Sequence, residues 1–212
     1  VVGWRPALVK DTTPKTLYEY AKTLKEVEQD NGTAFHYRTV YTNILGMVAE
    51  KVSGRTLTDL LQEKLWKKIH PEQDSYIVCD QDKFPYMGAG MNACTRDLAR
   101  FGQMIVNKGI YENERVVSED WIMKTLAGTD EARKHFEVTE YIHLIPGGHY
   151  MNQFWGSLDS EILACVGIHG QGIYMNMSNK TVAVKFSSQP DPDDGPLFIE
   201  TFAALDTLSR SI

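Results

Sequence analysis

The stretch Ile162–Ser187, ILACVGIHGQGIYMNMSNKTVAVKFS, decides the fold class. It holds three short runs rich in β-branched and aromatic residues, Ile162–Ile168, Gly172–Met177 and Thr181–Ser187. Ser178-Asn179-Lys180 has the composition of a hairpin turn, so the runs read as neighbours in an antiparallel sheet. Downstream, Asp191-Pro192-Asp193-Asp194-Gly195 reads as a solvated loop, because its three carboxylates lack the regular ligand spacing of a calcium site. Pro196 then occupies the first turn of a final helix, and Phe198, Phe202, Leu205 and Leu208 recur at the spacing that faces a sheet.

Upstream the periodicity changes from two to 3.6. Pro14–Glu28 predicts a helix with Leu17, Tyr20, Ala21, Leu24 and Val27 on one face and Asn31-Gly32 as its stop. Tyr41–Val52 predicts a second, with Ile44, Leu45, Val48 and Val52 as its apolar positions and Ser53-Gly54 as its end. Thr56 and Asp59 open a third, burying Leu57, Leu60, Leu61 and Leu65. Thr95 caps a helix carrying Leu98, Phe101 and Ile105, and Ser118-Glu119-Asp120 opens another with Trp121, Ile122 and Leu126. Gly128–His149 lacks periodicity and reads as a long connection. The chain is thus expected to be α+β, with residues 1–160 mainly helical and 161–212 forming sheet strands and a covering helix.

Composition narrows the function. With 212 residues, 42% hydrophobic and 24% charged, the chain can bury a sizeable core. A net charge of -6 argues against a nucleic-acid partner, because no basic run exists to displace phosphate counterions. The apolar runs fall far short of a membrane span. Cys79, Cys94 and Cys165 are odd in number and lack CxxC spacing, which favours reduced thiols and leans towards the cytoplasm. No HExxH or close histidine pair supports a metal, no cofactor motif is found, and no GxSxG elbow occurs.

Three segments concentrate unusual residues. In Gly32–Gly54, GTAFHYRTVYTNILGMVAEKVSG, Tyr37 stands before the second helix, either as core or as a reactive phenol. In Tyr86-Met87-Gly88-Ala89-Gly90-Met91 the glycines permit close backbone approach to a ligand or form a surface turn. In Gly167-Ile168-His169-Gly170-Gln171-Gly172, backbone N–H groups at a strand edge could meet a substrate; the other reading is a bulged strand with a satisfied surface histidine.

Taken together, Phe35-x-Tyr37, Leu45-Gly46, Val52-Ser53-Gly54, Thr95-Arg96-Asp97-Leu98-Ala99-Arg100-Phe101-Gly102 and Gly167-Ile168-His169-Gly170-Gln171 resemble the serine hydrolases of the β-lactamase-related superfamily. Within it, the chain looks closest to the 6-aminohexanoate-dimer hydrolases and β-lactamase-type esterases. The resemblance implies a β-lactamase/transpeptidase-like fold. It implies that Tyr37, not Tyr41-Thr42-Asn43, is the proton-transfer residue, with Gly46 nine residues on and Thr39 where the family holds Asn. The family's Lys-Thr-Gly or His-x-Gly falls on Cys165-Val166-Gly167, so the Ile168 N–H would face the oxyanion. Gly167, His169, Gly170, Gln171 and Tyr86 would line the substrate.

The family nucleophile is the serine of Ser-x-x-Lys, and no serine of this chain has a lysine three residues later. The chain also opens on Val1-Val2-Gly3-Trp4, without Met or signal peptide. Both facts fit the C-terminal part of a longer protein, whose N-terminal part carries the nucleophile. The implied substrate is a small amide or ester. Loss of the cationic first position at Cys165 argues against a β-lactamase or peptidase that grips a substrate carboxylate there, and Ile168 with the aromatics around Phe84, Tyr86 and Trp155 suggests an apolar acyl pocket.

Overall fold

The computed structural model describes residues 13–211; Val1-Val2-Gly3-Trp4 lies outside them. The chain forms two compact units. The first has its described part in residues 13–67 and 73–93, and the second comprises 68–72 and 94–211. The division does not fall at 160/161, because the helices between residues 95 and 137 pack on the sheet and belong with it.

The second unit is built on a five-stranded antiparallel meander, β5 (His149–Met151), β6 (Phe154–Ser157), β7 (Ile162–Gly167), β8 (Gln171–Asn176) and β9 (Thr181–Lys185), paired in that order. Its register sets Leu163 opposite Met175 and Met175 opposite Val182. Strand alternation then sends Ile173 and Met175 to one face and Tyr174 and Asn176 to the other. The first face receives α4 (Thr95–Val106) so closely that a Cβ on Gly102 would stand 2.4 Å from Val182 Cγ1. The opposite face receives α7 (Gly195–Arg210), where Tyr174 Oη donates to Asp206 Oδ1 at 2.7 Å and Asn176 Nδ2 to Ser209 Oγ at 3.1 Å. Met104, Ile105, Val106, Leu163, Met175, Phe198 and Phe202 are buried between these layers, each contributing roughly 1.5–3 kcal/mol if removed fully from water.

The predicted turn at Ser178-Asn179-Lys180 is present. Asn176 Oδ1 accepts from the Ser178 N–H at 3.0 Å and the Ser178 hydroxyl at 2.7 Å. The final helix begins where expected, capped by Asp194, whose Oδ1 accepts from the Leu197 N–H. Its inner face differs by one position: Leu208 is exposed and Ser209 is buried, because Ser209 is the group that satisfies Asn176.

Two strands and a helix were not expected from the sequence. β5 and β6 are joined by the two-residue turn Asn152-Gln153, both at positive φ. A glutamine where such turns usually carry glycine hides the hairpin. Gly128–His149 is likewise not a bare connection: Thr129 caps α6 (Asp130–Glu137), and Glu140–His143 forms a 3-10 turn. Phe136 is the one buried residue of α6, too few to create a period. α5 (Glu119–Ala127) and the two-stranded ribbon of β3 (Ile110–Tyr111) and β4 (Glu114–Arg115) complete this unit.

His149 on β5 is fully buried, and its Nε2 lies 2.8 Å from the Thr125 carbonyl oxygen, to which it donates. Gly128 and Gly156 both press on the ring; a Cβ on Gly128 would stand 2.6 Å from it. Burial is the main influence and holds the imidazole pKa below its ordinary value; the Thr125 bond opposes this and the Arg133 charge adds to it. The unfolded chain therefore binds this proton more readily than the folded one below about pH 6.5. The stabilisation is complete above that pH and is lost as pH falls towards the folded pKa. The melting temperature is expected to drop more between about pH 7.5 and 5.5 in the wild-type chain than in His149→Gln. Parallel drops would remove His149 from the account.

In the first unit, α1 is only Leu17–Thr23. The expected helix to Glu28 stops early, since the Thr23 hydroxyl turns back to the Tyr20 carbonyl and Leu24 adopts an extended conformation. Leu24 and Val27 are consequently exposed. α2 runs from Thr39 to Ser53 and ends in the left-handed Gly54, as expected. Its buried residues are Asn43 and Gly46, while Leu45, Val48 and Val52 stand in solvent, the reverse of the predicted face. α3 (Leu57–Lys64) follows, with Thr56 Oγ1 accepting from the Asp59 N–H. Its leucines Leu57, Leu60 and Leu61, with Leu65 beyond its end, are half-buried and not enclosed. β1 (Tyr76–Ile77) and β2 (Met91–Asn92) form a short ribbon.

Candidate active site

Tyr37 precedes the α2 N-cap Arg38, and its two neighbours are fixed by one carboxylate. Glu28 pairs with Arg38 and lies 3.2 Å from His36 Nδ1. The Arg38 hydrogen bond holds the Glu28 carboxyl below its ordinary pKa. Tyr37 is 36% exposed and so is not enclosed in a core.

The loop carrying Tyr86 is locked to the same helix. Tyr86 donates its N–H to Val78 O at 2.8 Å, and the Gly90 N–H returns to Tyr86 O at 2.7 Å. Gly88 lies so near Thr39 that a Cβ would stand 2.2 Å from Thr39 Cγ2 and 3.1 Å from its carbonyl oxygen. Asn43 Oδ1 accepts the Gly88 N–H at 3.1 Å. Tyr37 and Tyr86 are therefore each two residues from a direct contact, Thr39 against Gly88. Gly46 marks a second close approach: its Cβ would meet Leu57 at 2.7 Å and Phe84 at 3.1 Å. The role of Asn43 was not legible in the sequence, where Tyr41-Thr42-Asn43 was set aside. Its signal was a polar residue at the spacing of Gly46 on a helix face.

In the second unit, Gly167–Gln171 is the connection between β7 and β8. Ile168–Gly170 makes one 3-10 turn, with His169 at φ 61° and Gly170 at φ 80°. The turn is clamped from the chain beyond β9. The His169 N–H donates to Pro192 O at 3.1 Å, the Gln189 N–H to His169 O at 3.2 Å, and His169 Nδ1 lies 2.8 Å from Gln189 O. Lys185 Nζ donates to Gly170 O at 3.0 Å. A Cβ on Gly170 would fall 2.3 Å from the Gln189 carboxamide, so only glycine fits. His169 therefore has its ring Nδ1 and both main-chain polar groups engaged with the chain beyond β9. Gln171 Nε2 donates to Ile168 O at 3.2 Å, and Ile168 is 36% exposed.

The strand-edge expectation holds over part of β7 only. β6 pairs with it at Ile162, Leu163 and Ala164 and goes no further. Cys165-Val166-Gly167 remain paired to β8 alone, so this portion of an interior strand has an open main-chain edge among the described residues. It ends at Ile168, the first residue of a 3-10 turn, where N–H groups lack an intrahelical acceptor.

All three cysteines are free thiols. Burial pushes Cys165 up to about 12. Burial, and then the Asp80 carboxylate, raises Cys79. Cys94 donates its S–H to Asp97 Oδ2 at 3.0 Å. Among the described residues no group of three His, Cys, Asp or Glu side chains could hold a metal, and no helix is long and apolar enough to cross a membrane. An open cavity of about 300 Å³ at Glu72, Arg96, Arg100 and Tyr111 holds none of the expected site residues, and both arginines are already paired with Glu72.

The family model described as Beta-lactamase matches residues 3–206. The chain belongs to the beta-lactamase family. It is 34% identical over 193 residues to the 6-aminohexanoate-dimer hydrolase of Paenarthrobacter ureafaciens, an alignment that takes in 90% of this chain and 47% of that protein. A Bacillus anthracis structure solved as a proposed 6-aminohexanoate-dimer hydrolase superposes with a TM-score of 0.78 at 26% identity, covering 93% of this chain and 48% of that one. The penicillin-binding protein of Bacillus halodurans shares the fold, with a TM-score of 0.65 at 16% identity over 95% of this chain and 66% of that one. The family and the β-lactamase/transpeptidase-like fold expected from the motifs are thus borne out. The chain spans about half the length of the 6-aminohexanoate-dimer hydrolases it matches.

Proposed function

We propose that this chain is part of a serine hydrolase that cleaves an amide or ester bond through an acyl-enzyme, of the 6-aminohexanoate-oligomer hydrolase or carboxylesterase type. The observation that carries the reading is the 34% identity to a 6-aminohexanoate-dimer hydrolase, together with an accessible Tyr37 whose flanking residues are both tied down.

The nucleophile is the serine of a Ser-x-x-Lys segment outside these 212 residues, in an N-terminal part of the same fold. Its hydroxyl oxygen attacks the substrate carbonyl while its proton passes to Tyr37, acting with the neighbouring lysine. The tetrahedral oxygen accepts the Ile168 N–H, at the open end of β7. Collapse expels the amine or alcohol, which takes the proton from Tyr37, and water then releases the acid and regenerates serine. A tyrosine ordinarily titrates near about 10, so a neighbouring ammonium is what makes it a base near neutrality. One oxyanion donor is worth about 3 kcal/mol. Gly167, His169, Gly170 and Gln171 shape the wall beside that donor, and Tyr86 supplies an apolar wall near Tyr37. The substrate is a small uncharged-acyl ester or linear amide.

A noncatalytic binding protein that keeps the fold, or one half of a split enzyme, is the competing reading, favoured by the absence of Ser-x-x-Lys in this chain. Alone, the chain is expected to show no turnover of a p-nitrophenyl ester above buffer. Joined to a segment bearing Ser-x-x-Lys, it is expected to gain it. Turnover by the isolated chain would overturn the placement of the nucleophile, and inactivity of the joined protein would favour a binding role.

A further inference from the structure

α2 of the first unit turns its apolar side outward. Tyr41, Leu45, Val48 and Val52 are 57%, 56%, 53% and 82% exposed. At about 100° per residue these four fall within an arc of about 60°, and at about 1.5 Å per residue they form a stripe about 16 Å long. The opposite side of the helix, with Asn43 and Gly46, is the buried one. A helix that buries an amide and a glycine while presenting tyrosine, leucine and two valines to solvent has the wrong face inward for a finished layer.

The rest of the unit agrees. Leu17 and Trp66 are its only fully buried hydrophobic side chains among the described residues. Tyr18, Leu24, Val27, Tyr76 and Val78 are also exposed. By contrast the second unit encloses a full core, from Met104 to Phe202. The second unit also exposes single apolar side chains such as Val138 and Leu208, but on α2 four of them line up along one helix face, which is what an absent packing layer leaves behind.

We infer that the Tyr41-Leu45-Val48-Val52 stripe is a docking face for further polypeptide of the same hydrolase fold, that portion which relatives carry in the half of their length this chain does not span. This rests on the proposed reading that such a portion carries the nucleophile. The occupant presents an apolar helix or strand face, because no charged side chain interrupts the stripe. Docking there would place the incoming portion against the helix that begins two residues after Tyr37.

The test uses the whole chain. Its probe is the segment of the Paenarthrobacter ureafaciens hydrolase that this chain does not span, made as a separate polypeptide and followed by sedimentation velocity and titration calorimetry. A one-to-one complex is expected, weakened at least about tenfold by Leu45→Glu with Val48→Glu, since the complex would bury both charges. Lys64→Glu, on the exposed side of α3, should leave it unchanged. The double variant should melt as the wild type does, because both side chains face solvent. Absence of a complex, a complex indifferent to the two glutamates, or collapse of the variant's own fold would each overturn the inference. So would a homodimer that the glutamates dissolve, which would assign the stripe to a second copy. A complex without ester turnover would sink the hydrolase reading and leave the docking face standing. Turnover by a covalently joined protein carrying both glutamates, at the wild-type rate and stability, would do the reverse.

Discussion

Tyr37→Phe, made in this chain joined to a Ser-x-x-Lys segment, lowers kcat by about 10²- to 10⁴-fold with little change in KM. The substitution removes one oxygen from an accessible side chain and leaves the ring, so packing is retained. Around it, Glu28 lies against His36 and Arg38 on either side, and Asn43 and Gly46 anchor α2. The loss should therefore appear in turnover, while the unfolding free energy, as for most surface changes, stays within about 0.5 kcal/mol. It should also flatten the pH profile on the limb where Tyr37 works as a base. Near-normal turnover would show that the wrong tyrosine has been chosen, with Tyr41 next in line.

Gly88→Ala is expected to destabilise the first unit. The added methyl would meet the Thr39 side chain at 2.2 Å and the Thr39 carbonyl at 3.1 Å. Rotation of the Thr39 side chain relieves the first contact, but the second is backbone at the start of α2 and can yield only if helix or loop moves. Overpacking of this kind costs about 1–3 kcal/mol, and separating the two elements also stretches the Gly88-to-Asn43 hydrogen bond. Chemical denaturation of the isolated chain measures the cost without any assumption about activity. Unchanged stability would mean that the loop is not held as described. In an active joined protein the same substitution should raise KM, because Tyr86 moves with Gly88.

What the sequence made legible follows from where periodicity is strong. β7 and β9 lie within the runs marked by β-branched residues, and β8 starts one residue ahead of its run, at Gln171. α7 begins beside the expected Pro196, whereas Thr95 is the first residue of α4 and not its cap, the N-cap being Cys94 without a side-chain bond. β5 and β6 were hidden by an Asn-Gln turn, and α6 by having a single core residue. The inverted face of α2 could not have been read. The pattern at Ile44, Leu45, Val48 and Val52 does define an apolar side, but a pattern does not say which chain covers it. At the site, family motifs located Tyr37 and the Gly167–Gln171 turn. The Asn43–Gly88 link and the clamp of His169 by Gln189 and Pro192 join residues 45, 20 and 23 positions apart, and no local spacing encodes such partners.

The buried polar cluster under α7 bears on the order in which the protein can be made. Tyr174 and Asn176 of β8 find their partners in Asp206 and Ser209, 32 and 33 residues later, and Asn179 of the hairpin turn donates to the Ser209 carbonyl at 2.5 Å. Until Asp206 and Ser209 have been made, one face of the sheet carries a phenol and the Asn176 Nδ2 group without their α7 partners, and water must satisfy them. The local Ser178 bonds to Asn176 Oδ1 can form earlier, so during synthesis the hairpin turn precedes the dry packing of that face. The arrival of Asp206 and Ser209 is the step that allows water to leave that face.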